Sequence, residues 1–538
     1  MIGNGIVAVP RRLIALCALW IGLAGGLVLA ATCESLAQIH LANTTVTSAR
    51  TVAAGSFTPP KAEGAPPGGP TYKTLPAFCQ VTGVIKPTSD SDIRFEVWMP
   101  ATGWNGRFQG IGNGGFAGSI NYSGLADAVA DGYAAASTDT GHTQSGINAQ
   151  WALDHPEKVA DFGYRAIHTT TENGKAIVRE FYGEAPKYSY FNSCSNGGRQ
   201  ALMEAQRFPA DYDGIIAGAP ANNWTHLFAG FIWNAQALSE PGGYIPPAKF
   251  TAIETAALTA CDTLDGVQDG VIDDPRKCHF DPAALLCLGE DSTSCLTAPQ
   301  VKTLKRIYSG PKDSKGEQLF PGFPPGGATG LLGWTGWITG MSPEKSAQFA
   351  FGTQFYANMV FDNASWDYHT FNFDKDLKLA DGKAGKVLNA ADPNLKTFMD
   401  RKGKLILYHG WSDAAIPAPS TIRYYENVEA KMGSRQSDSF VRLFLVPGMQ
   451  HCAGGPGPNS FGQVPGAQHD ADHDIEKAME HWVEDGVAPE KIVATKYKYD
   501  TNPASGVVRT RPLCAYPLAA RYKGTGSTDD AANFTCAK

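Results

Sequence analysis

The sequence has no excess of positive charge and no Cys-x-x-Cys pair. Lysine and arginine together number 45 against 52 aspartates and glutamates, which gives a formal net charge of −7. A nucleic-acid partner therefore has no electrostatic support. Without a Cys-x-x-Cys pair, neither a structural zinc site nor a thioredoxin-type redox pair is expected.

The chain is long and apolar enough to bury a large core, with 538 residues of which 43% are hydrophobic. Strand-like runs such as "IRFEVWMP" alternate with helical patterns in both halves of the sequence. This alternation predicts an α/β fold with a mostly parallel sheet covered on both faces. It fades from residue 222 to residue 395. We therefore expect a core formed by residues 32–221 and 396–538, with residues 222–395 as an insertion.

The amino terminus has the pattern of a signal peptide. Arg11 and Arg12 precede an apolar run over residues 13–29, and small residues follow. This predicts a signal peptide over residues 1–31 and a secreted or periplasmic product, with no membrane association after cleavage. An uncleaved membrane anchor is the alternative, because the run is about as long as the shortest spanning helix.

The cysteine count agrees with export. Of eleven cysteines, Cys17 leaves with the predicted signal peptide, and an even number remains. In an oxidising compartment, an even number favours disulfides over free thiols.

Residues 190–206, "YFNSCSNGGRQALMEAQ", place Ser195 between a predicted strand and a predicted helix. Nucleophile elbows of α/β-hydrolases have the pattern Gly-x-Ser-x-Gly, because small residues on both sides allow the strained turn that presents the hydroxyl. Here Ser193 replaces the first glycine, and Gly197 is the second. The alternative is a serine that caps a helix.

Two further residues complete a catalytic triad with Ser195. A serine nucleophile needs a histidine base, which in turn needs an acid to orient it, and in this fold class the chain order is Ser, Asp, His. Asp413 follows the predicted strand "KLILY", and His451 follows "VRLFLV". We expect Ser195, Asp413 and His451 to meet at the carboxyl ends of their strands.

Other histidines compete with this assignment. His409 precedes Asp413 by four residues, and we expect it to lie in the cleft as a substrate-binding residue. His469 and His473 lie among aspartates and have the spacing of a metal site. An acidic helix N-terminus on a solvated face is the favoured interpretation.

Two cysteines are adjacent to the predicted triad. Cys194 directly precedes Ser195, and Cys452 directly follows His451. If Ser195 and His451 touch, these cysteines come within the Cα separation of about 4.4–6.8 Å that a disulfide needs.

The Cys194-Ser195, Asp413 and His451-Cys452 arrangement resembles that of the tannase and feruloyl esterase family, which includes the monohydroxyethyl terephthalate hydrolase. The resemblance implies an α/β-hydrolase core with a lid inserted between nucleophile and acid. It also implies five disulfides: Cys33–Cys79, Cys194–Cys452, Cys261–Cys278, Cys287–Cys295 and Cys514–Cys536.

Acyl transfer also needs donors for the oxyanion. The first is the backbone N–H of Asn196. The second is expected from the loop "GNGGFAG", where similarity to the family selects Gly115, with Gly114 beside it. A tight glycine turn without chemistry is the alternative.

The stretch "CDTLDGVQDGVIDDPRKC" predicts a calcium site. Asp262, Asp265 and Asp269 are closely spaced, and calcium prefers several oxygen ligands. The resemblance adds the backbone carbonyls of Val267 and Val271. We expect the ion to be structural, holding the lid together, and the alternative is an acidic loop without an ion.

The predicted lid contains the aromatic stretch "GWTGWITGMSPEKSAQFAFGTQFY". Trp337 and Phe355 are the expected walls for a planar acyl group, with lid core as the alternative. The family's terephthalate monoester hydrolase is expected to hold a substrate carboxylate with a lid arginine. This stretch has only Lys345, which puts that substrate in doubt.

These features predict a secreted serine esterase that hydrolyses aromatic esters through an acyl-enzyme. Hydroxycinnamate (feruloyl-type) esters, for example those of plant cell walls, are the first choice of substrate, and gallate esters are the second. A lipase or peptidase on the same fold is an alternative, as is a non-catalytic, calcium-dependent carbohydrate-binding protein.

Overall fold

The computed structural model describes residues 1, 3–5, 31–60, 72–330, 332–463 and 467–538. Most of the predicted signal peptide therefore lies outside the described residues. Within them, no helix combines the length and the apolar character that crossing a bilayer requires.

Strands from the whole chain contribute to three sheets in the described residues. Their bounds are β1 Thr44–Val52, β2 Phe78–Ile85, β3 Ile93–Pro100, β4 Arg107–Ile111, β5 Ala134–Thr138, β6 Tyr188–Cys194, β7 Gly214–Gly218, β8 Lys404–Gly410, β9 Val441–Val446, β10 Lys491–Tyr499, β11 Asn502–Cys514, β12 Ala519–Tyr522 and β13 Phe534–Ala537.

The central sheet has nine strands in the order β1-β2-β3-β5-β4-β6-β7-β8-β9. Antiparallel pairing joins β1 to β2, β2 to β3 and β3 to β5, and all later neighbours are parallel. Strands β10 and β11, and strands β12 and β13, form two small antiparallel hairpins. Because β6 to β9 are parallel neighbours, their carboxyl ends lie at one edge of the sheet.

Helices follow each of the strands β4 to β9. Their bounds are α1 Tyr122–Ala130, α2 Pro156–Ala160, α3 Ala166–Tyr182, α4 Asn196–Arg207, α5 Trp224–Ser239, α6 Phe250–Cys261, α7 Ala298–Ser309, α8 Trp334–Trp337, α9 Ala347–Phe355, α10 Asp376–Ala380, α11 Lys386–Leu388, α12 Lys396–Asp400, α13 Pro419–Met432, α14 Ser434–Asp438 and α15 Ile475–Asp485. Turns of π-helix extend three of these helices: Asp161–Arg165, Tyr356–Val360 and Asp381–Gly385.

The central sheet is buried on both faces. Successive residues of a strand point to opposite faces, so Tyr190 and Phe191 of β6 belong to different apolar clusters. The cluster of Phe191 includes residues of α3, α4 and α13, whereas that of Tyr190 includes residues of α1 and α15. This arrangement confirms the predicted α/β class with a mostly parallel sheet.

The segment between β7 and β8, residues 219–403, contains α5 to α12. We call it the inserted segment. Its aromatic residues form a cluster that also contains Phe116, Ala415 and Ile416 from outside the segment. The segment therefore packs against loops that follow the core strands. Its limits at 222 and 395 as a separate lid domain stay a prediction.

Candidate active site

Ser195 occupies the one-residue turn between β6 and α4. Its backbone has φ +68° and ψ −125°, a region that non-glycine residues rarely adopt. The Ser195 N–H donates to the Gly218 carbonyl at 3.0 Å, and the Ser195 carbonyl accepts from the Arg199 N–H at 3.1 Å. Strain of this kind costs about 1–3 kcal/mol and persists only where surrounding contacts impose it.

Small residues on both sides of Ser195 make this turn possible. A Cβ atom on Gly197 would lie 1.9 Å from Ser193 Oγ and 2.5 Å from Ser193 Cβ. A Cβ on Gly198 would lie 2.3 Å from the Gly218 carbonyl oxygen. The side chain of Ser193 therefore occupies the space beside Gly197, which explains how serine replaces the first glycine of the pattern.

His451 and Asp413 form a buried pair. His451 Nδ1 lies 2.8 Å from Asp413 Oδ2, and the two residues are 9% and 2% exposed. The other carboxylate oxygen of Asp413 accepts the backbone N–H groups of Ala415 and Ile416 at 2.7 and 2.9 Å. These bonds fix the carboxylate, which in turn fixes the imidazole with Nε2 left for proton transfer.

The electrostatic environment keeps Asp413 ionised. Burial raises the pKa of its carboxyl group, but the charge of His451 and the hydrogen bonds from His409 and His451 hold the pKa well below its ordinary value. An ionised carboxylate at this distance is able to stabilise a positive charge on the His451 ring.

His409 contacts the Asp413 carboxylate and is fully buried. Its Nε2 lies 2.9 Å from the Ile416 carbonyl oxygen and 3.2 Å from Asp413 Oδ2, and its Nδ1 lies 2.8 Å from Thr421 Oγ1. The predicted substrate contact of His409 is wrong, because both ring nitrogens are engaged inside the protein and none of the side chain is exposed.

A disulfide joins the residues next to Ser195 and His451. The Cα atoms of Cys194 and Cys452 are 6.0 Å apart. Cys452, like Ser195, has a positive φ, of +62°. The bridge holds the turn that carries Ser195 against the loop that carries His451. The structure also forms the other four implied disulfides: Cys33–Cys79, Cys261–Cys278, Cys287–Cys295 and Cys514–Cys536.

Gly115 and Asn196 both line the pocket that contains Ser195. Asn196 is the first residue of α4, where backbone N–H groups have no partner within the helix. Gly115 has φ +55°, and a Cβ there would lie 2.4 Å from the Gly146 carbonyl oxygen. A side chain does not fit at this position, so glycine is required. Gly115 therefore presents its backbone to the pocket. Their role as oxyanion donors stays a prediction. Gly114 lies beside this wall.

The pocket at Ser195 is narrow, about 40 Å³, and aromatic. The Trp337 ring lies 4.9 Å from the His451 ring in an edge-to-face arrangement and stacks on Phe351 at 6.2 Å. Besides Ser195, its lining consists of Gly115, Asn196, Ala221, Trp224, Leu227, Phe228, Phe231, Trp337, Phe351, Ala415 and Ile416.

In the loop predicted to bind calcium, the Asp262 carboxylate forms hydrogen bonds to the backbone of residues later in the same loop. Both carboxylate oxygens of Asp262 accept backbone N–H groups, from Asp269 at 3.2 Å and Gly270 at 3.1 Å. Asp265 Oδ1 accepts the Val267 N–H at 3.0 Å. The Asp269 carboxylate forms ion pairs with two arginines of β11: Arg509 and Arg511. The carbonyl of Val271 belongs to the same loop, which the Cys261–Cys278 bridge closes.

The acidic groups of this loop are crowded. Burial raises the pKa values of Asp265 and Asp269, and the charge of Asp269 adds to the shift of Asp265. Burial, with the charges of Asp265 and Asp269, raises the pKa of the neighbouring Asp273 to about 7. A bound cation would relieve this crowding, and carboxylate and carbonyl oxygens are the ligands that a hard divalent ion prefers. In the described residues, however, Asp262 and Asp269 are paired with backbone N–H groups and with arginines, so calcium binding stays a prediction.

His469 and His473 each pair with a different aspartate. His469 Nδ1 lies 2.8 Å from Asp474 Oδ2, and His473 Nδ1 lies 2.7 Å from Asp470 Oδ1. Asp474 caps α15 by accepting the Glu476 N–H at 2.8 Å. These contacts agree with the interpretation as a helix N-terminus.

A family model described as "Tannase and feruloyl esterase" matches residues 79–537. The chain belongs to the tannase and feruloyl esterase family. It is 46% identical over 532 residues to an uncharacterized esterase of Xanthomonas campestris pv. campestris, covering 94% of this chain and 91% of that protein. It is 34% identical over 522 residues to the probable feruloyl esterase B-1 of Aspergillus oryzae, with coverages of 94% and 93%.

A solved structure agrees with these relatives. The crystal structure of feruloyl esterase B from Aspergillus oryzae matches this esterase with a TM-score of 0.85 at 34% identity, covering 94% of this chain and 99% of that one. The fold is therefore that of the α/β-hydrolases of this family. The protein is a carboxylic ester hydrolase of the feruloyl esterase and tannase type.

The prediction that Phe355 forms a wall of this esterase's pocket is wrong. Phe355 is fully buried and packs against Phe228 and Tyr356, with ring centres 5.0 and 4.9 Å apart. Phe351, one turn earlier on α9, reaches the pocket instead. A helix turns by about 100° per residue, so residues four apart share a face but differ in depth when the helix axis is inclined to the cavity.

Helix α5 supplies a wall of this esterase's pocket that was not predicted from the sequence. Trp224, Phe228 and Phe231 are four and three residues apart and lie on one helical face toward the pocket. Their spacing is visible in the sequence. This spacing alone does not show that the face lies over Ser195, because residues that pack into the core beneath an amphipathic helix have the same spacing.

Proposed function

We propose that this esterase hydrolyses hydroxycinnamate (feruloyl-type) esters through an acyl-enzyme on Ser195. The observation that carries the proposal is the buried 2.8 Å pairing of His451 with Asp413, joined by a disulfide-linked loop to the strained turn of Ser195. A histidine oriented in this way is a general base, and a serine on such a turn is the matching nucleophile.

In the proposed mechanism, Ser195 Oγ attacks the ester carbonyl while His451 Nε2 takes its proton. The backbone N–H groups of Asn196 and Gly115 donate to the oxyanion. His451 then gives the proton to the leaving alcohol. Water, activated by His451, attacks the acyl-enzyme and releases the aromatic acid, while Asp413 holds the imidazole throughout.

The lining of the pocket favours a feruloyl group over a galloyl group. Among the described residues, its side chains are apolar apart from those of Ser195 and Asn196 and the indole N–H groups of Trp224 and Trp337. A galloyl ring has three hydroxyl groups, and burying a hydroxyl without a partner costs about 1–3 kcal/mol. A feruloyl ring has one hydroxyl, and its methoxy and vinyl groups suit aromatic walls.

A substrate panel tests this proposal. We expect kcat/KM to be highest for methyl ferulate, lower for methyl gallate, and lowest for a terephthalate monoester. The Ser195→Ala variant should lose turnover of all three while unfolding at the temperature of the wild type. Activity retained by folded Ser195→Ala, or a preference for methyl gallate, would contradict the mechanism or the substrate, respectively.

We also propose that the loop of residues 261–278 binds calcium through the carboxylates of Asp262, Asp265 and Asp269 and the carbonyls of Val267 and Val271. The crowded, buried acidic groups support this proposal. The ion would supply positive charge that holds the loop closed, away from the reacting ester.

We propose that the protein is secreted or periplasmic. Five disulfides fit an oxidising compartment, where such bonds persist.

A further inference from the structure

Arg199 is a fully buried arginine directly behind the predicted oxyanion hole. None of its side chain is exposed. Its guanidinium lies between two aromatic rings, 4.8 Å from the centre of Phe162 and 4.9 Å from that of Trp224. Trp224 is also a wall of the pocket at Ser195. Arg199 and the pocket at Ser195 therefore share contact with the Trp224 side chain.

Within the described part of the chain, the hydrogen-bond partners of this guanidinium are all neutral. Its N–H groups donate to the carbonyls of Gly163 at 2.7 Å, Phe162 at 3.1 Å and Leu388 at 3.4 Å. Phe162 and Gly163 belong to the π-helical turn Asp161–Arg165, and such turns are frequent at functional sites. Burial lowers the pKa of Arg199 to about 9, which leaves it charged at neutral pH.

A buried charge without a carboxylate partner is expensive. Among the residues that the structure describes, no carboxylate forms an ion pair with Arg199, and the like charge of Arg207 adds to the lowering of the Arg199 pKa. Purely structural sites usually pair such a charge or replace it with an apolar group. An unpaired cation is useful where negative charge develops transiently beside it, as at an oxyanion.

A chain of hydrogen bonds connects Arg199 to both sides of the oxyanion hole. Arg199 Nε donates to Asn196 Oδ1 at 2.8 Å, and Asn196 Nδ2 donates to the Asn113 carbonyl at 3.0 Å. Gln200 closes the network by donating to Asn113 Oδ1 at 2.8 Å and accepting the Asn113 N–H at 3.0 Å. Asn113 is two residues before Gly115. The network thus fixes the start of α4 and the glycine loop relative to each other.

We propose that Arg199 is a positioning residue of the oxyanion hole. Its guanidinium orients Asn196 through the side-chain amide and places a positive charge behind the backbone donors of Asn196 and Gly115. This inference rests on the proposed acyl-transfer function. It predicts that Arg199 stabilises the tetrahedral, anionic state more than it stabilises bound substrate.

The test compares Arg199→Met with the wild type and with the control Arg207→Met. Arg207 lies on the same helix, stacks on Tyr164 at 4.5 Å and donates to the Lys386 carbonyl, but it is exposed. With a chromogenic feruloyl ester, we expect Arg199→Met to lower kcat by about 10–100-fold and to leave KM within about twofold. Arg207→Met should match the wild type.

A second readout separates positioning from a structural role. An arylboronic acid forms a tetrahedral anion on the serine, whereas the free aromatic acid mimics bound product. Arg199→Met should weaken boronate inhibition by the same factor as kcat and leave inhibition by the aromatic acid unchanged. A kcat within about twofold of wild type, or equal weakening of both inhibitors, would overturn the proposal.

Two further outcomes have defined meanings. If Arg199→Met does not fold, Asn196→Ala breaks the same network and keeps the backbone N–H. We then expect a selective loss of kcat, and an unchanged kcat overturns the inference. If the wild type hydrolyses no ester of the panel, the proposed function is wrong. If the wild type is active and the variants have the same kcat, the proposed role of Arg199 is wrong and the proposed function stands.

Discussion

The substitution Gly197→Ala tests why the turn at Ser195 tolerates serine two residues before the nucleophile. The new Cβ would lie 1.9 Å from Ser193 Oγ and 2.5 Å from Ser193 Cβ, far inside van der Waals contact. Because Gly197 is in α4, alanine would by itself favour the helix by about 1 kcal/mol. Overpacking of this kind costs about 1–3 kcal/mol and shifts the backbone.

Because the gain in helix propensity offsets part of the overpacking cost, we expect Gly197→Ala to lose up to about 2 kcal/mol of unfolding free energy. It should also reduce kcat by more than about tenfold, because a displacement near the nucleophile disturbs the reacting geometry. Ser193→Gly removes the atoms that the new Cβ meets. The double variant should recover most of both losses, giving a coupling free energy of more than about 1 kcal/mol.

Urea unfolding and steady-state kinetics measure both effects. Gly382→Ala is the matched control: Gly382 lies in the π-helical turn Asp381–Gly385, and its Cβ would have no atom within 4 Å. It should raise the unfolding free energy by up to about 1 kcal/mol and leave kcat unchanged. If Gly197→Ala behaves like the control, or if Ser193→Gly fails to rescue it, the shared space beside the nucleophile is not what limits this turn.

Four other predictions concern the bridge, the acid, a buried carboxyl and the calcium loop. Replacing Cys194 and Cys452 with alanine opens a loop of 258 residues and should lower stability by up to about 5 kcal/mol in the chain-entropy model; an unchanged denaturation midpoint would contradict this. Asp413→Asn should lower kcat by about 10³–10⁴-fold with the fold retained, because His451 loses its orienting charge; near-normal kinetics would exclude that role. Burial raises the pKa of Asp139 to about 7, so its contribution to stability is complete below about pH 4 and is lost as pH rises through 7. Asp139→Asn should therefore flatten the fall in stability between about pH 4 and pH 7, and an identical fall in urea unfolding would refute the sign. Removing calcium with a chelator should lower the melting temperature and calcium should restore it, whereas an unchanged melting temperature would argue against the ion.

The sequence predicted the features that depend on local pattern and chain order. Strand runs ending at Cys194, Gly410 and Val446 place Ser195, Asp413 and His451 beyond parallel strands, so the topology brings their loops to one edge. The cysteine adjacent to each of two triad residues adds a distance restraint that the structure satisfies.

Features that depend on depth and orientation were not predictable in this way. His409 and Phe355 have the sequence positions of cleft residues, yet both are fully buried. Periodicity assigns a helical residue to a face but not to a depth. Which of Phe351 and Phe355 reaches the pocket is therefore set by how the inserted segment lies on the core.

The role of Arg199 was also invisible in the sequence. An arginine in the first turn of a predicted helix is ordinarily a solvated residue. Its burial depends on two carbonyls of a distant π-helical turn and on the ring of Trp224. Such long-range partners become apparent only once the helices are packed.

Peptide mass mapping after a rapid acid quench, during turnover of a chromogenic feruloyl ester, tests the proposed acyl-enzyme on Ser195 directly. We expect one feruloyl adduct, on the peptide that contains Ser195, and no adduct in Ser195→Ala. An adduct on another residue, or steady hydrolysis with no trapped acyl group when deacylation limits the rate, would contradict this expectation.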